Sequence, residues 1–107
     1  MTLSFTDLYV AISARDVDYP TCDDWTPNDW MTALVGEVGE TANILKKIRR
    51  GDKPLSAVKA DLAKELADVQ IYLIQLCRAL EVDLESAVID KFNEVSKRIG
   101  SSVELGS

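Results

Sequence analysis

Four acidic residues lie in two pairs with the same internal spacing, and they are the residues of this chain best suited to chemistry. Glu37 and Glu40 form an E-x-x-E pair, and Glu65 and Asp68 form an E-x-x-D pair about one helix further along. Residues three apart on a helix share a face, so each pair would project its carboxylates to one side. Carboxylate oxygens without nitrogen or sulfur ligands favour Mg²⁺ or Mn²⁺. The two pairs therefore predict a site for a divalent cation in which all four acids are ligands.

The composition excludes several other kinds of chemistry. The chain has no histidine, which removes the commonest general base and the usual nitrogen ligand of zinc. A net charge of −6 disfavours nucleic acid polymers as partners. Two cysteines far apart fit a reducing compartment, and the most apolar run, Val69 to Leu80, is too short to span a bilayer. These features predict a soluble cytoplasmic protein that binds neither nucleic acid polymers nor membranes.

The acidic pairs are unusual because they fall on apolar helix faces. At about 100° per residue, Glu37 shares a face with Trp30 and Ile44, and Glu65 lies between Leu62 and Val69. Burying an unpaired carboxylate costs several kcal/mol, so these acids need compensation. One compensation is pairing with cationic side chains, and the other is a divalent metal. We favour the metal because most nearby cations project from other faces or lie a turn away; these cations are Lys46, Lys47, Arg49, Arg50 and Lys64.

Gly36 and Gly39 flank the first acidic pair inside a predicted helix. Each glycine costs about 1 kcal/mol relative to alanine in a helix interior. One interpretation is that the missing side chains let a neighbouring helix, or a phosphate with its metal, approach the backbone. The alternative is that the glycines are merely tolerated.

Helical periodicity dominates the chain, and proline and glycine mark its breaks. Thr26 and Asp29 supply a start signal, residues 16–24 read as a loop, and residues 101–107 are expected to lie over the surface or to be disordered. The predicted helices run from about Ser4 to Ala14, from Pro27 to Arg50, from Ser56 to Leu80, and from a cap at Asp83 to Gly100. Without strand alternation or repeats, the pattern predicts a single all-α domain over 1–107 that resembles a four-helix bundle.

The stretch ALVGEVGE, followed by KELADVQIYLIQL, resembles the all-α nucleoside triphosphate pyrophosphohydrolases of the MazG-like superfamily, and most closely its short MazG-like and dCTP pyrophosphatase branch. The resemblance extends from about Trp25 to Gly100. It implies Mg²⁺-dependent hydrolysis of a nucleoside or deoxynucleoside triphosphate to the monophosphate and pyrophosphate, in house-cleaning of the nucleotide pool, with Mn²⁺ as a substitute metal. It also implies roles for the motif acids, which hold Mg²⁺ on the phosphates while one of them orients the attacking water: Glu37, Glu40, Glu65 and Asp68.

The same resemblance suggests residues that contact the substrate. Lys91 and Asn93 form a K-x-N motif, followed by Lys97, that is similar to the segment touching phosphate and sugar in relatives. Trp25 and Tyr72 occupy places where relatives keep aromatic residues around the base. The plainer interpretation is a solvated helix surface for the polar residues and a core position for the aromatic ones.

The resemblance further implies a homodimer or homotetramer in which helices of a partner complete the pocket. Phe5, Leu8 and Ile12 on the first helix are expected to take part in that contact. Some branches of the family carry an additional acid where Gly36 stands here, so the number of metal ions stays open. A different class of function is a non-catalytic interaction or regulatory module that retains the bundle. The four intact acids favour the enzyme, whereas the sequence does not determine the preferred base.

Overall fold

The computed structural model describes residues 1–20 and 22–106, and these residues form four α-helices and no strand. The helices are α1 (Phe5–Asp18), α2 (Pro27–Arg49), α3 (Leu55–Leu80) and α4 (Leu84–Ile99). The predicted all-α class is therefore confirmed. The most extensive packing joins α2 to α3, and α1 packs on α3 over a smaller area. Within the described part of the chain, no helix combines the length and the apolar character needed to cross a bilayer.

Side-chain caps explain where three of these helices begin. At α2, Thr26 and Asp29 form a capping box, and Pro27 takes the first helical position. Ser4 forms the same kind of box at α1, and at α4 the Ser86 N–H donates to Asp83 Oδ1 over 3.2 Å. Such caps satisfy backbone N–H groups that have no partner within the helix. The predicted starts of α2 and α4 are confirmed.

The first helix continues one turn beyond the end predicted from the sequence. It ends at Asp18 rather than Ala14, so residues 16–18 are helical and not part of the predicted loop. Asp16 is fixed by α3, because its carboxylate accepts hydrogen bonds from Gln75 Nε2 at 3.1 and 3.2 Å and from Arg78 Nη1 at 2.5 Å. Periodicity within one segment carries no information about a partner on another helix, which is why the prediction stopped early.

The last helix stands largely apart from α1, α2 and α3. Among the described residues, it makes only slight contact with the other helices. The Cα radius of gyration is 16.8 Å, whereas a compact chain of this length would have a value of about 13 Å. The number of helices and the fold class agree with the prediction, but one chain does not pack α4 into a closed bundle.

Two apolar stripes consequently remain uncovered. On α2, four side chains that are 47–55% exposed share one helical face, and we call them the α2 stripe: Met31, Val35, Val38 and Leu45. On α4, the exposed apolar side chains are Val88, Phe92 and Ile99. Contiguous apolar surfaces of this kind are typical of contacts with another protein.

The expected role of α1 in contacts between chains needs a correction at one residue. Ile12 is 2% exposed and therefore belongs to the core of its own chain. Phe5 and Leu8 are half-buried. Because α1 packs on α3, its apolar side faces inward, and Ile12 is not available to a partner.

The C-terminal residues 101–106 turn back along α4. The Asn93 side chain pairs with the backbone of Leu105: Nδ2 donates to the carbonyl oxygen over 2.9 Å, and the Leu105 N–H donates to Oδ1 over 2.8 Å. A built Cβ on Gly106 would lie 3.0 Å from the Ile89 side chain. Residues 101–106 thus lie over the surface of α4, which is one of the two expectations for them, and Ser107 lies outside the described residues.

Candidate metal and nucleotide site

The two acidic pairs meet where α2 packs on α3. Glu37, Glu65 and Asp68 each offer one carboxylate oxygen, and these oxygens lie within 4.8 Å of one another. The E-x-x-E spacing places Glu37 and Glu40 on adjacent turns of α2, and the E-x-x-D spacing does the same for α3. Helix packing therefore brings together carboxylates that are about 30 residues apart in the sequence, as the motif predicted.

The fourth acid, Glu40, joins this group through its contact with Glu65. A hydrogen bond between the two carboxyl groups, followed by charge repulsion from Glu65, raises the pKa of Glu40 above its ordinary value. The pKa of Glu65 is raised chiefly by its hydrogen bond with Glu37 and then by burial. A carboxyl group can donate to another only while it is protonated, so Glu40 and Glu65 hold protons more tightly than free glutamate does. We call Glu37, Glu40, Glu65 and Asp68 the acidic cluster.

Two oxygens of the acidic cluster lack the partners that buried polar atoms normally have. Glu37 Oε2 and Glu65 Oε2 are buried, and no donor in the described residues reaches either atom. Leaving such a group unsatisfied costs about 1–3 kcal/mol, and more if it is charged. A hard divalent cation would satisfy both atoms, and an all-oxygen donor set suits Mg²⁺ or Mn²⁺. The residues present therefore fit the metal that the sequence predicts.

Pairing with cationic side chains does not provide the compensation. The ion pairs found among the described residues are Arg50–Asp52, Arg78–Asp16 and Lys91–Glu94, and none includes an acid of the cluster. The alternative of a purely structural salt-bridge network is thus not met in this chain.

The two glycines of α2 do not make room for a helix of the same chain. A Cβ built on Gly36 or Gly39 meets no atom within 4 Å. Two interpretations of these glycines remain. Either a partner chain or a phosphate approaches the backbone there, or the helix merely tolerates the glycines.

A cavity of about 350 Å³ opens beside the acidic cluster. Asp68 belongs to both features, and Trp30 and Tyr72 supply aromatic walls with their ring centroids 6.2 Å apart. Burial, and next the negative charge of Glu37, raise the pKa of Tyr72, so its hydroxyl stays protonated. The remaining lining residues are Arg15, Asp16, Tyr19, Pro20, Cys22, Asp23, Ile71 and Gln75.

The two aromatic residues suggested by the sequence lie in different surroundings. Tyr72 lines the cavity, whereas Trp25 packs on Trp30, with ring centroids 4.5 Å apart, and Trp30 is the indole that lines the cavity. The contacts of Trp25 and Tyr72 with a base stay predictions. Trp30 is 9% exposed and belongs to the core, as its place on the apolar face of α2 indicates. That face also carries Glu37 two turns later, and this shared face was the signal that could have placed Trp30 at the site.

Asp16 and Gln75 also line the cavity, and sequence reasoning missed both. The sequence pattern predicts a loop at Asp16. Gln75 is seven residues after Asp68, close to the same face of α3, so the helical spacing alone could have indicated it.

The polar residues of α4 are not brought to the acidic cluster by packing within one chain, because α4 makes only slight contact with α2 and α3. Lys91 is exposed and lies 3.7 Å from Glu94, and Lys97 is exposed in the last turn. Asn93 is engaged by Leu105. The roles that the resemblance gives to Lys91, Asn93 and Lys97 stay predictions.

A second cavity, of about 540 Å³, lies between the start of α1 and the turn from α3 to α4. Phe5, Tyr9, Ile74 and Arg78 are among its lining residues, and no acid of the cluster is. The smaller cavity is therefore the one connected to the acidic cluster.

Fold and site together define an all-α protein in which two packed helices present an acidic cluster, able to hold a divalent cation, next to an aromatic cavity. Residues 25–100 match the MazG nucleotide pyrophosphohydrolase domain, and the chain belongs to this family. The resemblance seen in the sequence is thereby confirmed.

Individual relatives agree with this assignment. The Gene 37 protein of Mycobacterium phage L5 is 34% identical over 107 residues, which cover 94% of each chain. The dCTP pyrophosphatase 1 of Rattus norvegicus is 36% identical over 92 residues, 78% of this chain and 54% of the relative. The dCTP pyrophosphatase 1 of Homo sapiens is 37% identical over 78 residues, 65% of this chain and 46% of the relative. The chain thus spans about half the length of these dCTP pyrophosphatases.

Proposed function

We propose that this protein is a Mg²⁺-dependent nucleoside triphosphate pyrophosphohydrolase that releases pyrophosphate and a nucleoside monophosphate. The observation that carries the proposal is the group of three carboxylate oxygens within 4.8 Å, contributed by two helices, beside a cavity that shares Asp68. The buried oxygens of Glu37 and Glu65 without donors support a cation there. Family membership supports the class of reaction.

The acidic cluster holds the metal in this proposal, and Mg²⁺, when bound, neutralises phosphate charge and makes water more acidic. The chain contributes position and a proton acceptor. Because it has no histidine, the acceptor for the proton of the attacking water is a carboxylate. We assign this role to Glu40, which lies outside the tight group of three oxygens.

The cavity holds the nucleoside in this proposal. Phosphates at the acidic cluster would direct the sugar and base past Asp68 toward Trp30 and Tyr72, whose rings offer apolar faces to a base. The Trp25 ring packs against the Trp30 ring, with centroids 4.5 Å apart. Two of the relatives are named dCTP pyrophosphatase 1, so dCTP is the first substrate to test, in a role of clearing the nucleotide pool.

The active form in this proposal is a homodimer or homotetramer. The α2 stripe and the exposed apolar face of α4 provide surface for a second copy. Because α4 packs only slightly on its own chain, α4 of a partner can bring its cationic residues to the acids; these are Lys91 and Lys97, with Asn93 between them.

The test is a pyrophosphate-release assay with a panel of ribonucleoside and deoxynucleoside triphosphates, with and without Mg²⁺. We expect equimolar pyrophosphate and monophosphate, no free orthophosphate, and no turnover in excess chelator. A folded protein that hydrolyses none of the panel with Mg²⁺ or Mn²⁺ would instead support the non-catalytic regulatory module.

A further inference from the structure

The cavity beside the acidic cluster ends in a polar group of residues that the proposed catalysis does not use. Asp16 from α1 and Gln75 from α3 both line it, and Gln75 is 6% exposed. Along α3, Asp68, Tyr72 and Gln75 follow one another on neighbouring turns, and the seven residues from Asp68 to Gln75 span about 10 Å. A nucleotide whose phosphates lie at Asp68 and whose base lies at Tyr72 therefore points its base edge toward Asp16 and Gln75.

The orientation of the Gln75 amide is fixed by its two neighbours. Its Nε2 donates to both carboxylate oxygens of Asp16, and its Oε1 accepts from Arg78 Nη1 over 2.8 Å. The reversed amide would place oxygen against the carboxylate and nitrogen against the guanidinium, and both arrangements are repulsive. The Gln75 amide N–H groups therefore point at the Asp16 carboxylate and hold it in place.

The positive charge of Arg78 offsets the cost of placing the Asp16 carboxylate at a half-buried position. Its Nη1 lies 2.5 Å from Asp16 Oδ2, and its guanidinium carbon lies 5.6 Å from the Tyr9 ring centre. The Asp16 side chain is 35% exposed, so Arg78 and Gln75 do not enclose it. A carboxylate has about four lone-pair positions, which leaves Asp16 able to accept a further hydrogen bond from a ligand.

We propose that Asp16 is a specificity-determining residue whose carboxylate accepts a hydrogen bond from the exocyclic amino group of the base. This inference rests on the proposed function, which places the phosphates of the nucleotide at the acidic cluster. The site then prefers cytosine or adenine nucleotides over their oxo counterparts, uracil and hypoxanthine. An oxo group at the same position has no hydrogen to donate, and its partially negative oxygen is repelled by the carboxylate. Gln75 and Arg78 act as positioning residues that hold the carboxylate in place.

Other charged residues of the cavity do not reverse this preference. Arg15 and Asp23 also line it, but both are exposed, so water competes for their hydrogen bonds. Asp16 is the half-buried charged group at the end of α1, where water competes less.

The test compares nucleotide pairs that differ only by amino and oxo groups. Calorimetry in Mg²⁺ would use the non-hydrolysable α,β-imido forms of dCTP and dUTP, and of dATP and dITP. A hydrogen bond to a charged acceptor corresponds to roughly a 10- to 100-fold affinity difference. In one or both pairs, we therefore expect the compound with the amino group to bind at least about 10-fold more tightly than the compound with the oxo group. Asp16→Asn should reduce the ratio to within about threefold. Asp18→Asn, on the exposed end of the same helix, should leave the ratio unchanged.

A measurement on the unaltered protein covers the case in which Asp16→Asn fails to fold. The α,β-imido triphosphate of 2-pyrimidinone deoxyriboside lacks the amino group of cytosine, and we expect it to bind at least about 10-fold more weakly than the cytosine compound. Equal binding within both pairs, or an Asp16→Asn ratio equal to that of Asp18→Asn, would overturn the role of Asp16. Because binding needs no turnover, a protein that discriminates within a pair but releases no pyrophosphate would keep this inference and refute the proposed function.

Discussion

The rings of Trp30 and Tyr72 meet across the contact between α2 and α3, with centroids 6.2 Å apart and planes inclined by 44°, and both line the cavity beside Asp68. Each residue lies on the same helix as one acidic pair: Trp30 is seven residues before Glu37, and Tyr72 is four residues after Asp68. Any change in the packing of α2 on α3 would therefore move the aromatic walls and the carboxylates together.

Neutralising an acid of the cluster should abolish turnover without unfolding the protein. We expect Glu37→Gln, Glu40→Gln, Glu65→Gln and Asp68→Asn each to lower kcat/KM by roughly 100-fold or more, because each change removes a ligand or the proton acceptor. The helical circular dichroism should be retained. Glu104→Gln, in the C-terminal residues, is the control and should keep parental kinetics. Full activity in two or more of the four variants would refute the site.

Mg²⁺ should stabilise the folded protein. At a concentration 100 times its Kd, a ligand that binds only the native state adds about 2.7 kcal/mol to the free energy of unfolding. We expect a higher melting temperature in Mg²⁺ than in chelator at matched ionic strength, and a much smaller difference in Glu65→Gln. Superimposable melting curves for the parent protein would contradict a preformed site.

The metal-free protein should lose stability as the pH rises above about 4.5. The pKa values of Glu40 and Glu65 are raised above 4.5 in the folded state. Their stabilising contribution is thus complete below the unfolded pKa and is lost as the pH passes through the folded values. Asp29 and Asp83 have pKa values lowered by capping hydrogen bonds, so their contribution changes only at lower pH, below the ordinary value of 3.8.

In chelator, this sign predicts that the melting temperature falls between about pH 4.5 and pH 7. Glu65→Gln should show a smaller decline over that interval, whereas Glu104→Gln should follow the parent. An increase in melting temperature between these pH values would show that the acids are not coupled as described.

The glycines of α2 should reveal whether something outside the chain approaches them. Gly36→Ala and Gly39→Ala add a methyl group that meets no atom within 4 Å, so helix propensity alone should stabilise each variant by about 1 kcal/mol. If a phosphate or a partner chain occupies that space, kcat/KM should fall. Denaturant unfolding together with kinetics separates the two effects, and unchanged kinetics would mean that the glycines are only tolerated.

Lys91 should matter for turnover through a second chain. We expect Lys91→Ala to raise KM and lower kcat together, and Arg98→Ala to change little. Lys91→Ala chains can then be mixed with Glu65→Gln chains and allowed to exchange subunits. If each site takes its acids from one chain and Lys91 from the other, every heterodimer has one intact site, so activity should return. If the mixture shows no recovery of activity, Lys91 acts in the site of its own chain or belongs to no site.

Local rules were sufficient for the parts of the fold set by neighbouring residues. Thr26, Pro27 and Asp29 identified the start of α2, and Gly100, with φ of 75°, ended α4 as predicted. The acid spacing likewise identified a cluster that helix packing assembles. The end of α1 could not be predicted in this way, because Asp16 bonds to Gln75, which is 59 residues away.

The site residues that were missed depend on partners distant in the sequence. Trp30 is a core residue that also lines the cavity, where Tyr72 of α3 lies beside it, and this neighbour is 42 residues away in the sequence. Asn93 illustrates the reverse case: its motif suggests a substrate contact, but in this chain its amide pairs with Leu105.

In the proposed assembly, the separation of α4 from the rest of its chain makes the folded unit smaller than the active unit. The folded unit is one chain, and the active unit is an oligomer. α3 ends at Leu80, Glu81 takes a left-handed conformation with φ of 55°, and α4 then leads away from α2. In the proposed assembly, each chain supplies acids to one site and cations to another. Chemical competence would then be a collective property that no single chain has, and it would follow the law of mass action, with the protein concentration itself setting how many complete sites exist.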